Sequence, residues 1–188
     1  MPKTAVRPRS GRSPYPSVAV IVSRYNQSVT FRLRDGALAA YQRAYPDAPG
    51  GSVVLVDAPG AYELPALSLA CARTGRFEGV VALGCLIKGE TSHDRYIAEA
   101  VAGGLVQVTV ATGIPAAFGV LTVDTPQQAE DRAGGVHGNK GEEAMTALLD
   151  TIDQFRMLAS DEPAPRGDTG RAVPDKAARR RSSRGGSR

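Results

Sequence analysis

The side chains best suited to chemistry fall in four tight clusters. These are Ser23-Arg24-Tyr25-Asn26, Asp57-Ala58-Pro59-Gly60-Ala61-Tyr62-Glu63, Gly84-Cys85-Leu86-Ile87-Lys88-Gly89-Glu90-Thr91-Ser92-His93 and Thr122-Val123-Asp124-Thr125. The third is the richest. Gly89 lets a ligand approach the backbone closely. Thr91 is expected to open a helix whose first amide N–H groups lack internal partners, which makes a natural seat for phosphate. Thr91-x-x-Asp94 also fits a capping box, a purely structural use of the same residues, and the two uses are compatible. His93, expected two residues into that helix, would stand beside a bound phosphate, where an imidazole can pass protons near neutral pH.

The other clusters add binding groups. Tyr25 offers a flat face for a planar heterocycle, or equally a partly buried core ring. Glu63 could accept hydrogen bonds from sugar-like hydroxyls, or serve only the dipole of a helix N-terminus. Arg132 and Lys140 flank a Gly-rich break; Arg suits bidentate phosphate binding, although exposed basic residues are commonly just solvated. His137 sits within the break and is assigned no role. The Cys and His spacing forms no ligand set, so no metal and no organic cofactor is expected. Read from the residues alone, the chain is an enzyme or binder of a phosphorylated, partly planar ligand.

Four apolar runs must position these groups: Val18–Val22, Val53–Val56, Val80–Leu83 and Ala116–Leu121. They are rich in β-branched residues and nearly continuous rather than alternating, as parallel strands buried on both faces require. Helix-like stretches at 28–45, 63–74, 91–111 and 125–158 separate or follow them, the last broken by Gly134-Gly135-Val136-His137-Gly138. The alternation predicts an α/β fold: a three-layer α/β/α sandwich with a four-stranded parallel sheet, doubly wound and flavodoxin-like. Open parallel sheets bind ligands beyond their carboxyl edges, and all four clusters follow strands.

Charge is placed unevenly along the 188 residues, whose formal net charge is +4. Residues 1–16 carry four basic and no acidic side chains, and 159–188 carry eight basic and four acidic ones. Residues 17–158 hold 11 basic and 15 acidic groups, so the basic balance belongs to the ends and does not argue for a nucleic-acid-binding domain. Both ends are poor in large apolar side chains and are expected to be disordered tails around a domain at 17–158. No apolar stretch suits a membrane span or secretory signal, and Cys71 and Cys85 are expected as buried, reduced thiols; the expected location is cytoplasmic.

The motifs, in order, resemble the lumazine synthase family over essentially all of 17–158. The matching stretches are Tyr25-Asn26, Pro59-Gly60-Ala61-Tyr62-Glu63-Leu64-Pro65, Ala82–His93, Phe118-Gly119-Val120-Leu121-Thr122, Gln128-Ala129-x-x-Arg132-Ala133-Gly134 and Gly138-Asn139-Lys140-Gly141. The resemblance implies that Tyr25 stacks on the pyrimidine of a ribitylaminouracil and that Phe118 closes the site from a neighbouring subunit. It implies that Ala61, Tyr62 and Glu63 hold the ribityl chain, and that the backbone of Cys85, Leu86 and Ile87 reads the pyrimidine edge. Glu90 and Thr91 match the phosphate loop, Arg132 the phosphate-binding arginine supplied across the subunit boundary, and Lys140 a lysine near the same site. His93 matches the proton-transferring histidine. Two departures stand out: Tyr25 replaces the usual Phe or Trp, and Asp94-Arg95 stands where the family has an aromatic followed by an acidic residue.

The implied reaction condenses 5-amino-6-(D-ribitylamino)uracil with 3,4-dihydroxy-2-butanone 4-phosphate to 6,7-dimethyl-8-ribityllumazine, phosphate and water. The resemblance also implies homo-oligomers, namely pentamers with sites between subunits. The short break from Gly134 to Gly141 is similar to that of shell-forming members, in which riboflavin synthase is a candidate guest. Two rivals are kept. A flavin- or lumazine-binding carrier on the same fold would keep Tyr25 and the phosphate loop but has no need for His93 with Arg132. An RNA-binding scaffold would use the Arg-rich end, which as a flexible polycation binds polyanions nonspecifically and with strong salt dependence.

Overall fold

The computed structural model describes residues 13–160. The expectations for 1–12 and 161–188, the Arg-rich end included, lie outside the described residues. Ser13–Pro16 are held against the body: Tyr15 packs edge-on to Tyr45 at 6.2 Å, Tyr41 Oη donates to the Pro16 carbonyl, and Arg156 donates to that of Ser13.

Strand and helix alternate as β1 (Val18–Ser23), α1 (Gln27–Ala44), β2 (Val53–Ala58), α2 (Leu64–Arg73), β3 (Gly79–Ile87), α3 (His93–Thr112) and β4 (Ala116–Val123). Then come α4 (Pro126–Asp131), a small antiparallel hairpin of β5 (Ala133–Gly135) and β6 (Gly138–Asn139), and α5 (Lys140–Ser160). The four long strands form one parallel sheet in the order β2-β1-β3-β4. The three-layer α/β sandwich expected from the sequence is therefore borne out. The Gly-rich break is the hairpin, which the sequence had not shown as paired strands.

Continuous apolar runs make the central strands because both of their faces are covered. All six residues of β1 are buried, as are eight of the nine in β3, whereas the edge strands β2 and β4 are partly open. One core joins β1, β3 and β4 to α1 and α5; it includes Val20, Leu33, Leu83, Met145, Leu148 and Ile152. The other joins the opposite sheet face to α2 and α3 through Ile21, Leu64, Val80, Val101 and Leu105. Removing each such large side chain from water is worth about 1.5–3 kcal/mol. The α5 pattern Ala144, Met145, Leu148, Leu149, Ile152 repeats at helical spacing and gives that helix its buried stripe.

The ends near the break are fixed by side chains. Thr125 caps α4 by accepting from Gln128 N, with Pro126 in the first turn. Asn139 Oδ1 accepts from Gly141 N and Glu142 N at the start of α5, while its Nδ2 donates to the Arg32 carbonyl of α1. Lys140 is thereby set between two anchored residues.

Two local expectations are corrected. The third strand runs to Ile87 rather than ending at Leu83, because β4 continues to pair with it through Ile87↔Val123 after β1 has stopped. Helix α3 begins at His93, with Ser92 as N-cap and no side-chain cap. Thr91 thus lies ahead of the helix and the Thr91-x-x-Asp94 capping box does not form. Among the described residues no helix is long and apolar enough to cross a membrane.

Candidate active site

The sheet order places its topological switch point between β1 and β3, since the chain leaves β1 toward β2 on one side and returns to β3 on the other. Beyond the carboxyl ends of those strands lies the crevice where such sheets take ligands. Three of the clusters meet there. The turn after β1 is fastened to both neighbouring strands: Arg24 N donates to the Ala58 carbonyl at the end of β2 at 2.8 Å, and Asn26 Nδ2 donates to the Cys85 carbonyl of β3 at 2.9 Å. Between these two anchors the Tyr25 side chain is 70% exposed, so its ring faces open solvent from a fixed backbone.

After β2, Ala61 is buried, Tyr62 exposed and Glu63 half-buried. Glu63 is the N-cap residue of α2 but makes no side-chain cap, so its carboxylate is not spent on the helix. A Cβ on Gly60 would come within 3.0 Å of Glu63 Oε2; the bare backbone there lets the carboxylate lie over the turn. After β3, Cys85 and Leu86 are buried and Ile87 half-buried, which leaves their backbone as the polar feature of the strand end. Burial pushes the Cys85 thiol up to about 11, far from a nucleophile at neutral pH. Cys71, expected to be buried as well, is only partly so; both are free thiols.

Lys88, Gly89, Glu90 and Thr91 form an exposed loop leading to His93. Lys88 pairs loosely with Asp124 of the neighbouring strand end at 3.7 Å. His93 occupies the first position of α3 and is exposed, and its imidazole has no hydrogen-bond partner among the described residues. It lines a hollow of about 360 Å³ with Tyr62, Tyr96 and Ile97. Tyr96 and Ile97 were not singled out from the sequence. Their spacing of three and four from His93 was the available signal, since such residues share a helix face.

Arg132, Lys140 and Phe118 lie together elsewhere. They line a second hollow, also about 360 Å³, at the free edge of β4, with Thr122, Glu143, Ala144 and Ala147 among its walls. Arg132 is half-buried; its Nη1 donates to the Gln128 carbonyl at 3.1 Å, and no carboxylate pairs with it among the described residues. Its remaining donors form a free cationic fork suited to an oxyanion. Lys140 is by contrast paired with Glu143 at 2.5 Å, a partner the sequence reading missed although it stands three residues on along α5. Phe118 is 44% exposed in the middle of β4, an uncovered aromatic on an edge strand that pairs with β3 alone. The two hollows share no residue. One protomer thus brings Tyr25, Asn26, Cys85 and the β2 turn to one end of the sheet, and His93 beside Tyr62, but does not bring Arg132 or Phe118 to His93.

A doubly wound parallel sheet with aromatic, carboxylate and imidazole groups at its switch point, and a cationic hollow at its edge, defines an α/β protein built to act on small molecules. The family model described as 6,7-dimethyl-8-ribityllumazine synthase matches residues 16–156. A protein of Caulobacter vibrioides named 6,7-dimethyl-8-ribityllumazine synthase 1 is 43% identical over 143 residues, which cover 76% of this chain and 92% of that protein. The chain belongs to the 6,7-dimethyl-8-ribityllumazine synthase family.

Proposed function

We propose that the chain condenses 5-amino-6-(D-ribitylamino)uracil with 3,4-dihydroxy-2-butanone 4-phosphate, releasing phosphate and water and giving 6,7-dimethyl-8-ribityllumazine, a step of riboflavin biosynthesis. The 5-amino group attacks the ketone, and loss of water gives an imine. Elimination of phosphate follows, and the ribityl-bearing nitrogen closes the second ring. The amine is itself a competent nucleophile, so no protein nucleophile is needed, in keeping with the protonated, buried Cys85 thiol.

In this reading Tyr25 stacks on the pyrimidine, and the backbone of Cys85, Leu86 and Ile87 reads its edge. Ala61, Tyr62 and Glu63 hold the ribityl chain. Glu90 and Thr91 take the phosphate with Arg132, Lys140 lies near them, and His93 moves protons during imine formation and elimination. Holding two substrates in register contributes most, since well-oriented reactions gain roughly 7–11 kcal/mol over free encounter. The Arg132 fork steadies the phosphate as it departs.

The observation that carries the reading is the separation of two hollows on one protomer, one holding His93 and the other Arg132 with Phe118. Each lacks what the other supplies, so the working site forms where the His93 hollow of one copy meets the Arg132 edge of the next. Such a head-to-tail contact closes into a ring; the assembly proposed is a pentamer, and sixty-subunit shells, with riboflavin synthase as guest, are its extension. Free thiols at Cys71 and Cys85 suit a reducing cytoplasm. A carrier role on the same fold is not favoured, because it leaves His93 and Arg132 without work. Incubating the purified chain with both substrates and following lumazine absorbance tests the proposal; turnover supports it, and its absence in an assembled, folded sample overturns it.

A further inference from the structure

Asn26 does something no ligand contact explains. It is the one non-glycine residue with positive φ among the described residues, at φ 58 and ψ 48. That conformation costs most residues on the order of 1 kcal/mol, and Asn bears it better than most. In return the Asn26 carbonyl accepts from Val29 N and Thr30 N and opens α1, while its side chain turns back to the sheet and donates to the Cys85 carbonyl across 59 positions of chain. The place of that bond matters. Pairing of β1 with β3 ends at Val22↔Leu83, yet β3 runs on to Ile87. Beyond Leu83 the β1-facing side of β3 has no strand beside it, and the Asn26 amide supplies the next rung. It bridges the crevice at the switch point, with Arg24 fastened to β2 on one side and Tyr25 held between the two anchors.

We propose that Asn26 is a positioning residue that fixes the Tyr25 ring platform relative to the strand end of Cys85–Ile87, and so sets the affinity for the planar substrate without touching it. The inference rests on the functional reading above. It deepens that reading by assigning Asn26 to the register between the stacking face and the edge-reading backbone. Losing the tether loosens one wall of the crevice against the other, which weakens binding of the pyrimidine and leaves the phosphate seat alone.

Two variants separate the tether from the backbone conformation. Asn26→Gly keeps the left-handed turn and removes the donor; Asn26→Asp keeps shape and turn but sets an acceptor against the Cys85 carbonyl. The measurements are KM for each substrate, kcat, thermal midpoint, and Kd for the lumazine product by fluorescence titration. The expected result is a KM for the ribitylaminouracil raised about five- to tenfold in Asn26→Gly and further in Asn26→Asp, with kcat and the KM of the phosphorylated ketose changed less than about twofold. Lumazine Kd should rise in parallel. An unchanged KM and Kd in Asn26→Asp would overturn the proposal, as would a fall in kcat at constant KM, which would mean direct participation in the chemistry. Failure of both variants to fold would also overturn it, by assigning the residue to stability. A wild-type chain that makes no lumazine sinks the functional reading alone; the Kd comparison then still decides the role of Asn26.

Discussion

Gly141 is where the protein leaves no room between α1 and α5, and the consequence can be worked out in ångströms. A Cβ at this position would lie 1.9 Å from the Leu33 carbonyl oxygen and 2.6 Å from its carbon, where ordinary contact begins near 3.4 Å. Both obstacles are backbone atoms on the buried face of α1, so no rotamer change relieves them. One helix must retreat by more than about 1 Å, and overpacking of this kind costs about 3 kcal/mol, the upper end of its usual range. For a domain of this size that corresponds to a thermal midpoint lowered by roughly 10 °C. The same retreat moves Lys140 and the α5 wall of the Arg132 hollow, so the KM for the phosphorylated substrate should rise in the molecules that remain folded. Thermal scans of Gly141→Ala at fixed protein concentration check the first effect, with Gly50→Ala as control, because a Cβ there meets nothing within 4 Å. A Gly141→Ala midpoint matching that of the control would refute the claim that α1 and α5 are closed on each other at this residue.

The side chains of the site carry further expectations. His93→Ala should lower kcat by about a hundredfold, the lower end of what general acid–base help supplies, with little change in either KM. Arg132→Lys, which keeps the charge but not the fork, should raise the KM of the phosphorylated ketose about tenfold and leave that of the ribitylaminouracil alone; unchanged steady-state constants in both variants would remove both assignments. Cys85 makes stability depend on pH. The folded state holds its proton up to about pH 11, above the ordinary thiol value of 9.0, so the contribution is intact below pH 9 and is lost as pH rises through 11. The loss approaches ~2–3 kcal/mol by linkage. Urea denaturation between pH 8 and 11 should show a shallower alkaline decline in Cys85→Ala than in the wild type; parallel declines would place the titration elsewhere, Cys71, Tyr41 and Tyr45 being the other described groups that burial raises.

What the sequence made legible was what local pattern controls. Val18–Val22 and Val80–Leu83 read as buried parallel strands because covering both faces demands unbroken apolar runs, and the helices between them followed from spacing. The extension of β3 to Ile87 was not legible: Gly84 through Ile87 remain a strand only because distant β4 pairs with them. The start of α3 was misplaced for a related reason, since Thr91 and Asp94 satisfy a local capping rule that the chain does not use. The candidate site divides in the same way. Tyr25, Glu63, His93 and Arg132 were visible as residue types following strands or flanking a Gly-rich break. The Asn26–Cys85 tether and the pairing of Lys140 with Glu143 were not, because a side-chain bond across a turn or a helix face leaves no mark in composition. Nor does residue order reveal that His93 and Arg132 open onto separate hollows.

The measurement closest to the centre of the account uses two crippled chains together. His93→Ala and Arg132→Ala are each assayed alone at a phosphorylated-ketose concentration well below its KM, where both lesions lower the rate, then co-expressed in equal amounts and purified as mixed assemblies. If every working site takes the imidazole from one copy and the guanidinium from its neighbour, random mixing leaves about a quarter of the sites with both intact, and the mixture should recover about a quarter of wild-type activity. A mixed assembly no more active than the two single variants would contradict the account, because it would put both groups in a site built within one chain.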